Sequence, residues 1–291
     1  MVTRVIAGVV IAVLLLAAAL SGMPLIHYPL ILLISLVSGY ECFRLLHQAG
    51  LPNYKWLGLT CGAVWLISIP IFPYNLETLM LFFGGVVLLV LLRQIFHGPE
   101  DAAKRMAGTL LGFFYVFFLM GFAFLLFNGG FPNGGTRLVE ALTGNMIVHN
   151  YMLVIYALIV TKVSDAGAYF VGSFFGKHKM APKLSPGKTW EGTVGGILAA
   201  VSAAFLFAQF ALKKPYLFHS YQFTPTQIAI SAVVIAVIGV FGDLAESLLK
   251  RSAGVKDSGQ LAPGIGGALD MVDSPLFTFP VMFFFLELWH H

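Results

Sequence analysis

An all-α, polytopic integral membrane protein is the fold class this sequence predicts, and three observations predict it. Of 291 residues, 58% are hydrophobic, 10% are charged and 27 are Phe, with a mean hydropathy of +0.88, far from the balance of soluble domains. The apolar residues gather into runs of about 20, the length that crosses the hydrocarbon layer. If those runs alternate in direction, most of the Lys and Arg fall on one side.

The runs lie at roughly 5–22, 28–47, 57–73, 76–96, 106–127, 146–175, 192–213, 225–250 and 271–288, about nine spans in all. The first, with Arg4 ahead of it and small residues from Ala17 to Gly22, also fits a cleaved signal peptide. A retained helix is expected, because more spans follow at once and no clear cleavage site is present. The run at 146–175 is too long for one crossing and carries Lys162 and Asp165, so its end is expected to leave the bilayer as a cytosolic extension. The chain reads as one integral domain, 1–127 forming N-terminal helices and 146–288 the catalytic helices and loops.

With alternating helices, one side collects Arg44, Lys55, Arg93, Lys104, Arg105, Lys177, Lys179, Lys183, Lys188, Lys250, Arg251 and Lys256, and the other Arg4, Arg137, Lys213 and Lys214. This bias puts both termini outside and the charged loops in the cytoplasm. Arg44, Arg93, Lys104 and Arg105 read as topogenic anchors at the headgroups. Cys42 and Cys61 lack a C-x-x-C pattern and read as small buried residues. The Gly-rich stretch from Asn128 to Gly135 reads as an external connector.

Chemistry is confined to two segments. The first runs from Ser164 to Gly196 and contains Gly187-Lys188-Thr189. A phosphate-binding P-loop would need Gly at position 182, which is Pro182, so that motif is excluded. What remains is a loop with Lys177, Lys179, Lys183 and Lys188, hydroxyls at Ser185 and Thr189, and backbone freedom at Gly187, able to close over a polyphosphate through charge-assisted contacts. Glu191 suits either a helix N-terminus or a catalytic role.

Between Gly242 and Ser274 lie five of the 13 acidic residues, Asp243, Glu246, Asp257, Asp270 and Asp273, interleaved with Lys250, Arg251 and Lys256. Carboxylates near bilayer depth are costly, which makes them a functional expectation. Asp243, Glu246, Ser247 and Lys250 share one helical face. Two neighbouring carboxylates repel unless a cation sits between them, and Mg²⁺ suits them because it binds through one or two carboxylates plus waters and substrate phosphates. Internal ion pairs such as Glu246 with Lys250 are the structural alternative. After the turn-rich Gly254–Gly267 loop, Asp270 and Asp273 repeat the i, i+3 spacing.

These residues are recognisable. Ser247-Leu-Leu-Lys-Arg251, Lys256-Asp257-Ser-Gly259, Pro263-Gly264, Gly266-Gly267, Asp270 and Asp273-Ser274 closely resemble the signature of the phosphatidate cytidylyltransferase (CDP-diacylglycerol synthase) family. Upstream, Asp165-x-x-Ala-Tyr169, Gly172, Gly176-Lys177 and Ser185-Pro-x-Lys-Thr-x-Glu-Gly192 resemble a second block of the same family. The chain departs from the pattern at Ile265, where many members carry His, and at Met271, where they carry Arg. Neither side chain can bind metal or phosphate as its counterpart could.

The resemblance implies attack of phosphatidate on the α-phosphorus of CTP, giving CDP-diacylglycerol and pyrophosphate. It implies Asp243 and Asp270 as leading Mg²⁺ ligands, supported by Glu246, Asp273 and Asp257, the last also in the catalytic set, while Asp165 either joins the metal cluster or pairs with Lys162. Lys250, Lys256 and Arg251 would hold phosphates, with Ser258, Ser185, Lys188 and Thr189 completing substrate contacts. A second cation such as K⁺ and a homodimer stay open. The expected partners are CTP, phosphatidate and the bilayer, not nucleic acid, and the expected location is the inner (plasma) membrane with the active site facing the cytoplasm. Two alternatives remain: a CTP-dependent polyprenol or phytol kinase, and an ion-coupled transporter relaying through Asp165, Asp243 and Asp270. The acids' clustering beside cations, with no pair of broken helices, disfavours the transporter.

Overall fold

The computed structural model describes residues 24–72, 76–128, 151–212, 223–259 and 266–289. Its helices are α1 (Pro24–Gln48), α2 (Lys55–Ser68), α3 (Leu76–His97), α4 (Ala102–Gly112), α5 (Leu119–Asn128), α6 (Tyr151–Phe175), α7 (Trp190–Leu212), α8 (Pro225–Ser252) and α9 (Ala268–Trp289). A π-helical stretch, Phe113–Phe118, joins α4 to α5, and a hairpin of β1 (Lys179–Ala181) and β2 (Ser185–Thr189) joins α6 to α7. The fold is all-α apart from that hairpin, and seven of the described helical segments are long and apolar enough to cross a membrane.

The expected count of about nine is not confirmed among the described residues. The run at 5–22 lies outside the described residues, as do the 129–135 connector, residues 260–265 with Ile265, and the terminal His290 and His291. The run at 57–73 contributes α2 of only 14 residues, about 21 Å at about 1.5 Å per residue against a core of about 30 Å. Pro70 has no N–H to continue the helical ladder, and just beyond it Ile71 and Phe72 both donate to the Ser68 carbonyl, at 3.0 and 2.9 Å, in a final turn.

The chain divides into two compact units. One draws on the described residues of Met1–Met146 and Leu249–Val272, the other on those of Ile147–Leu248 and Asp273–His291. The last turn of α8 and the first turn of α9 thus belong to the first unit.

In the first unit glycines set the helix spacing. A Cβ at Gly39 or Gly62 would overlap Phe117, and one at Gly58 or Gly112 would overlap Phe43; both rings are fully buried. Where lipid tails are as apolar as the side chains, helices associate through such close packing. The α1–α2 turn is pinned by Asn53 Nδ2 donating to the Phe43 carbonyl at 2.9 Å and by Tyr54 N–H donating to Thr109 Oγ1 at 2.8 Å. Cys42 and Cys61 are buried and unbridged, as their sequence context suggested.

In the second unit α6 and α7 pack through small residues. A Cβ at Gly196 would lie 2.8 Å from the Ser164 carbonyl, and one at Gly192 2.7 Å from that of Ala168. Thr161 Oγ1 donates to Thr278 Oγ1 at 3.0 Å, tying α6 to α9. Gly242 lets α8 approach α9, since a Cβ there would sit 2.7 Å from the Asp273 carbonyl.

Candidate active site

That close approach at Gly242 places two carboxylates of α8 against one of α9. Asp243, Glu246 and Asp273 each offer an oxygen, all within 4.8 Å of one another. Glu246 is fully buried and Asp273 nearly so, while Asp243 is partly open. Lys188, on β2, donates to Asp243 Oδ2 at 2.8 Å and to the Val240 carbonyl at 3.1 Å. Asp165, on α6, pairs with Lys162 at 3.7 Å, and its charged surroundings also include Asp243 and Lys188. Lys162, Asp243 and Asp165 are in turn the charged neighbours of Asp273.

Four carboxylates and two lysines therefore share one region of the second unit. Oxygens within 4.8 Å of one another are close enough to be shared by one divalent cation such as Mg²⁺, which binds through one or two carboxylates plus waters and substrate phosphates. The group of acids can thus bind a metal.

The hairpin is built to present Lys188. Thr189, proposed from the sequence as a substrate contact, is buried and caps α7, its Oγ1 accepting the Gly192 N–H at 3.1 Å. Glu191 accepts the backbone N–H groups of Lys177 and His178 at 3.2 Å and the His178 imidazole at 2.5 Å, closing the α6–β1 turn. Ser185 pairs with Ala181 in the hairpin register.

In the first unit a second constellation surrounds Asp270. Its Oδ1 accepts Lys250 Nζ at 2.6 Å. Its Oδ2 accepts the Ser258 N–H at 3.0 Å, the Ser258 hydroxyl at 2.8 Å and the Gly267 N–H at 2.6 Å. The last bond is half of a capping box, since Gly267 precedes the first residue of α9 and Asp270 is its third. Lys256 and Asp257 are exposed, and exposed Arg251 donates to the Val255 carbonyl at 3.1 Å. There α8 ends on Gly254, whose φ of +71° supplies the left-handed turn.

Glu41, in the middle of α1, was not singled out by the sequence reasoning. It is buried, and its Oε2 accepts the Leu269 N–H at 2.9 Å and the Ser258 hydroxyl at 3.1 Å. Gly267 has no side chain to cap α9, and Glu41 supplies the missing oxygen from another helix. The paired glycines follow from this: Gly266 adopts φ +88°, and a Cβ at Gly267 would overlap Glu41 and Ser258. The signal was available, because a lone carboxylate inside an apolar run is a functional expectation.

A membrane protein whose packed helices hold an acidic, metal-compatible cluster with a lysine bound into it is the class that fold and site define. The chain belongs to the cytidylyltransferase family, whose profile matches residues 2–289. It is 44% identical over 137 residues to the phosphatidate cytidylyltransferase of Haemophilus influenzae, covering 47% of this chain and 46% of that protein. With the enzyme of the same name from Bacillus subtilis it shares 41% identity over 146 residues, 50% of this chain and 51% of the relative. These two matches thus span about half the length of each relative. A Mycobacterium bovis phosphatidate cytidylyltransferase is 31% identical over 266 residues, 90% of this chain and 81% of the relative.

Proposed function

We propose that this chain is a phosphatidate cytidylyltransferase, joining CTP and phosphatidate to give CDP-diacylglycerol and pyrophosphate for phospholipid synthesis. The observation that carries the reading is the family match along residues 2–289, with a relative of that name aligned over 90% of the chain. The nucleophile is a phosphate oxygen of the lipid. It forms a bond to the α-phosphorus of CTP while the bond to the bridging oxygen breaks and pyrophosphate leaves with the electron pair. No activated Ser or Cys is needed, so the protein's work is positioning and charge neutralisation.

Asp243, Glu246 and Asp273 would hold Mg²⁺, with Asp165 in support. The ion would neutralise phosphate charge in the transition state. Lys188, held between Asp243 and the Val240 carbonyl, is the phosphate-binding cation of the second unit. Ser185 is a substrate contact on the same strand.

In the first unit Asp270, which the resemblance made a leading Mg²⁺ ligand together with Asp243, forms a part-buried ion pair with Lys250, and its bonds from Ser258 tie that residue to the start of α9. Arg251, Lys256 and Asp257 are exposed on that segment. The family signature makes the two cations phosphate contacts and Asp257 a further member of the catalytic set. The bacterial relatives and the positive-inside bias support a multi-pass inner-membrane protein with this chemistry on the cytoplasmic side.

The test is to incubate purified protein with Mg²⁺, phosphatidate and labelled CTP. CDP-diacylglycerol with stoichiometric pyrophosphate is expected. Release of CDP with a phosphorylated alcohol would instead make the chain a kinase, and no product from phosphatidate would overturn the reading.

A further inference from the structure

The first unit also contains a cavity of about 530 Å³ that the acidic cluster does not use. Arg44 and His47 of α1, Lys55 of α2 and Arg93 of α3 line it, with Tyr54 and Trp56. Among the described residues no Asp or Glu pairs with any of these cations. The Lys55 ammonium lies 4.3 Å from the Tyr40 ring centre and 5.1 Å from that of Trp56, and the Arg93 guanidinium lies 5.1 Å from that of Tyr54. Ring faces offset a cation far less than an anion does, so three permanent charges line one cavity with no carboxylate in direct ion pairing. Simple topogenic anchoring requires no such convergence.

Depth indicates the source of the missing anion. The segments Ile26–Gln48 and Glu77–His97, long and apolar enough to cross a membrane, both reach this cavity near their C-terminal ends, with His47 in the last turn of the first and Arg44 and Arg93 one turn before the ends, the level at which lipid phosphates meet such helices. Trp56 is 69% exposed, and Ile95 and Phe96 beside Arg93 are 72% and 84% exposed, an apolar and aromatic rim of the kind that faces the boundary between acyl chains and headgroups. Basic pockets between helix ends at this level suit anionic headgroups. We propose that this cavity binds the phosphate group of an anionic phospholipid. The inference does not depend on the cytidylyltransferase reading.

The test uses the purified full chain in mild detergent with phosphatidylglycerol, which is not the proposed substrate, and with phosphatidylcholine of the same acyl chains. Retained lipid is counted by native mass spectrometry. The variants change Lys55 and Arg93 only, because Arg44 also donates to the Ser258 carbonyl. Wild type is expected to retain phosphatidylglycerol over phosphatidylcholine. Lys55→Gln with Arg93→Gln should weaken phosphatidylglycerol retention by about 30-fold and leave phosphatidylcholine unchanged, whereas Lys55→Arg with Arg93→Lys should keep it. Equal retention by wild type and the Gln pair overturns the proposal, as does loss of retention in the charge-conserving pair. Displacement of phosphatidylglycerol by millimolar inorganic phosphate would assign the cavity to a soluble anion and overturn the lipid source.

Discussion

Replacing Glu41 separates a structural cap from a charge used in chemistry. In Glu41→Ala the N–H of Leu269, a residue with 0% exposure, loses its acceptor, and a buried unsatisfied donor costs about 1–3 kcal/mol. Loss of a negative charge at the start of α9 adds roughly 0.3–1 kcal/mol. Ser258 keeps Asp270 as a partner at 2.8 Å, so it adds nothing. Relief of a buried carboxylate's desolvation works the other way, leaving a net loss of about 2 kcal/mol.

Glu41→Gln can put its amide oxygen where Oε2 now accepts both bonds, and should lose only the charge–dipole part, under about 1 kcal/mol. The assays are thermal unfolding in detergent and CDP-diacylglycerol formation per folded molecule. Glu41→Ala should melt several degrees lower, and because the capped start of α9 carries Asp270, its rate should fall about 30-fold. Glu41→Gln should stay within about fivefold of wild type. Wild-type melting and turnover in Glu41→Ala would refute the capping argument. A Gln variant as impaired as the Ala variant would show that the charge itself is needed.

Asp243→Asn should lower turnover by roughly 100-fold and raise the Mg²⁺ concentration needed for half-maximal rate, read from rates over a Mg²⁺ series. Near-normal Mg²⁺ dependence would place the metal elsewhere. Lys188→Gln should lower kcat and kcat/KM together, as expected for a contact made mainly in the transition state; reduced yield with normal specific activity would mark an anchoring lysine. In a chain freed of Cys42 and Cys61, Met180→Cys should resist an impermeant thiol reagent in intact cells and Pro132→Cys should react, whereas the reverse pattern would invert the topology.

The helices were legible because crossing a membrane demands a length of apolar chain, a one-dimensional property. It failed where a proline intervened: the run at 57–73 looks continuous by composition, but Pro70 stops α2 at Ser68. The hairpin was read as a loop, since Ser185-Pro-Gly-Lys-Thr189 carries no alternating pattern and its pairing with Lys179–Ala181 is a partnership across the turn. Asp243, Glu246 and Asp273 were singled out by charge in an apolar setting, and helical spacing put the first two on one face. The pairing of Asp165 with Lys162, three residues apart, was legible, but partners on other elements were not. Spacing did not point to Lys250 binding Asp270 or to Lys188 binding Asp243, choices fixed by which elements touch. Thr189 was read as a hydroxyl for substrate, and its burial as a helix cap depends on α7 starting at the next residue.

The bond from Glu41 to the Leu269 amide joins positions 228 residues apart, which bears on how the protein is made. A chain emerging from a ribosome presents α1 long before α9, and loop closure over such a separation is slow compared with local helix formation. Until α9 arrives, Glu41 is a carboxylate inside a membrane helix without its final donors. Until Glu41 is reached, α9 begins on a glycine that cannot cap it. The two helices thus complete each other, and the contacts among Glu41, Ser258 and the first turn of α9 form only once both are present. A partly inserted chain would carry the signature residues without the arrangement that aligns them.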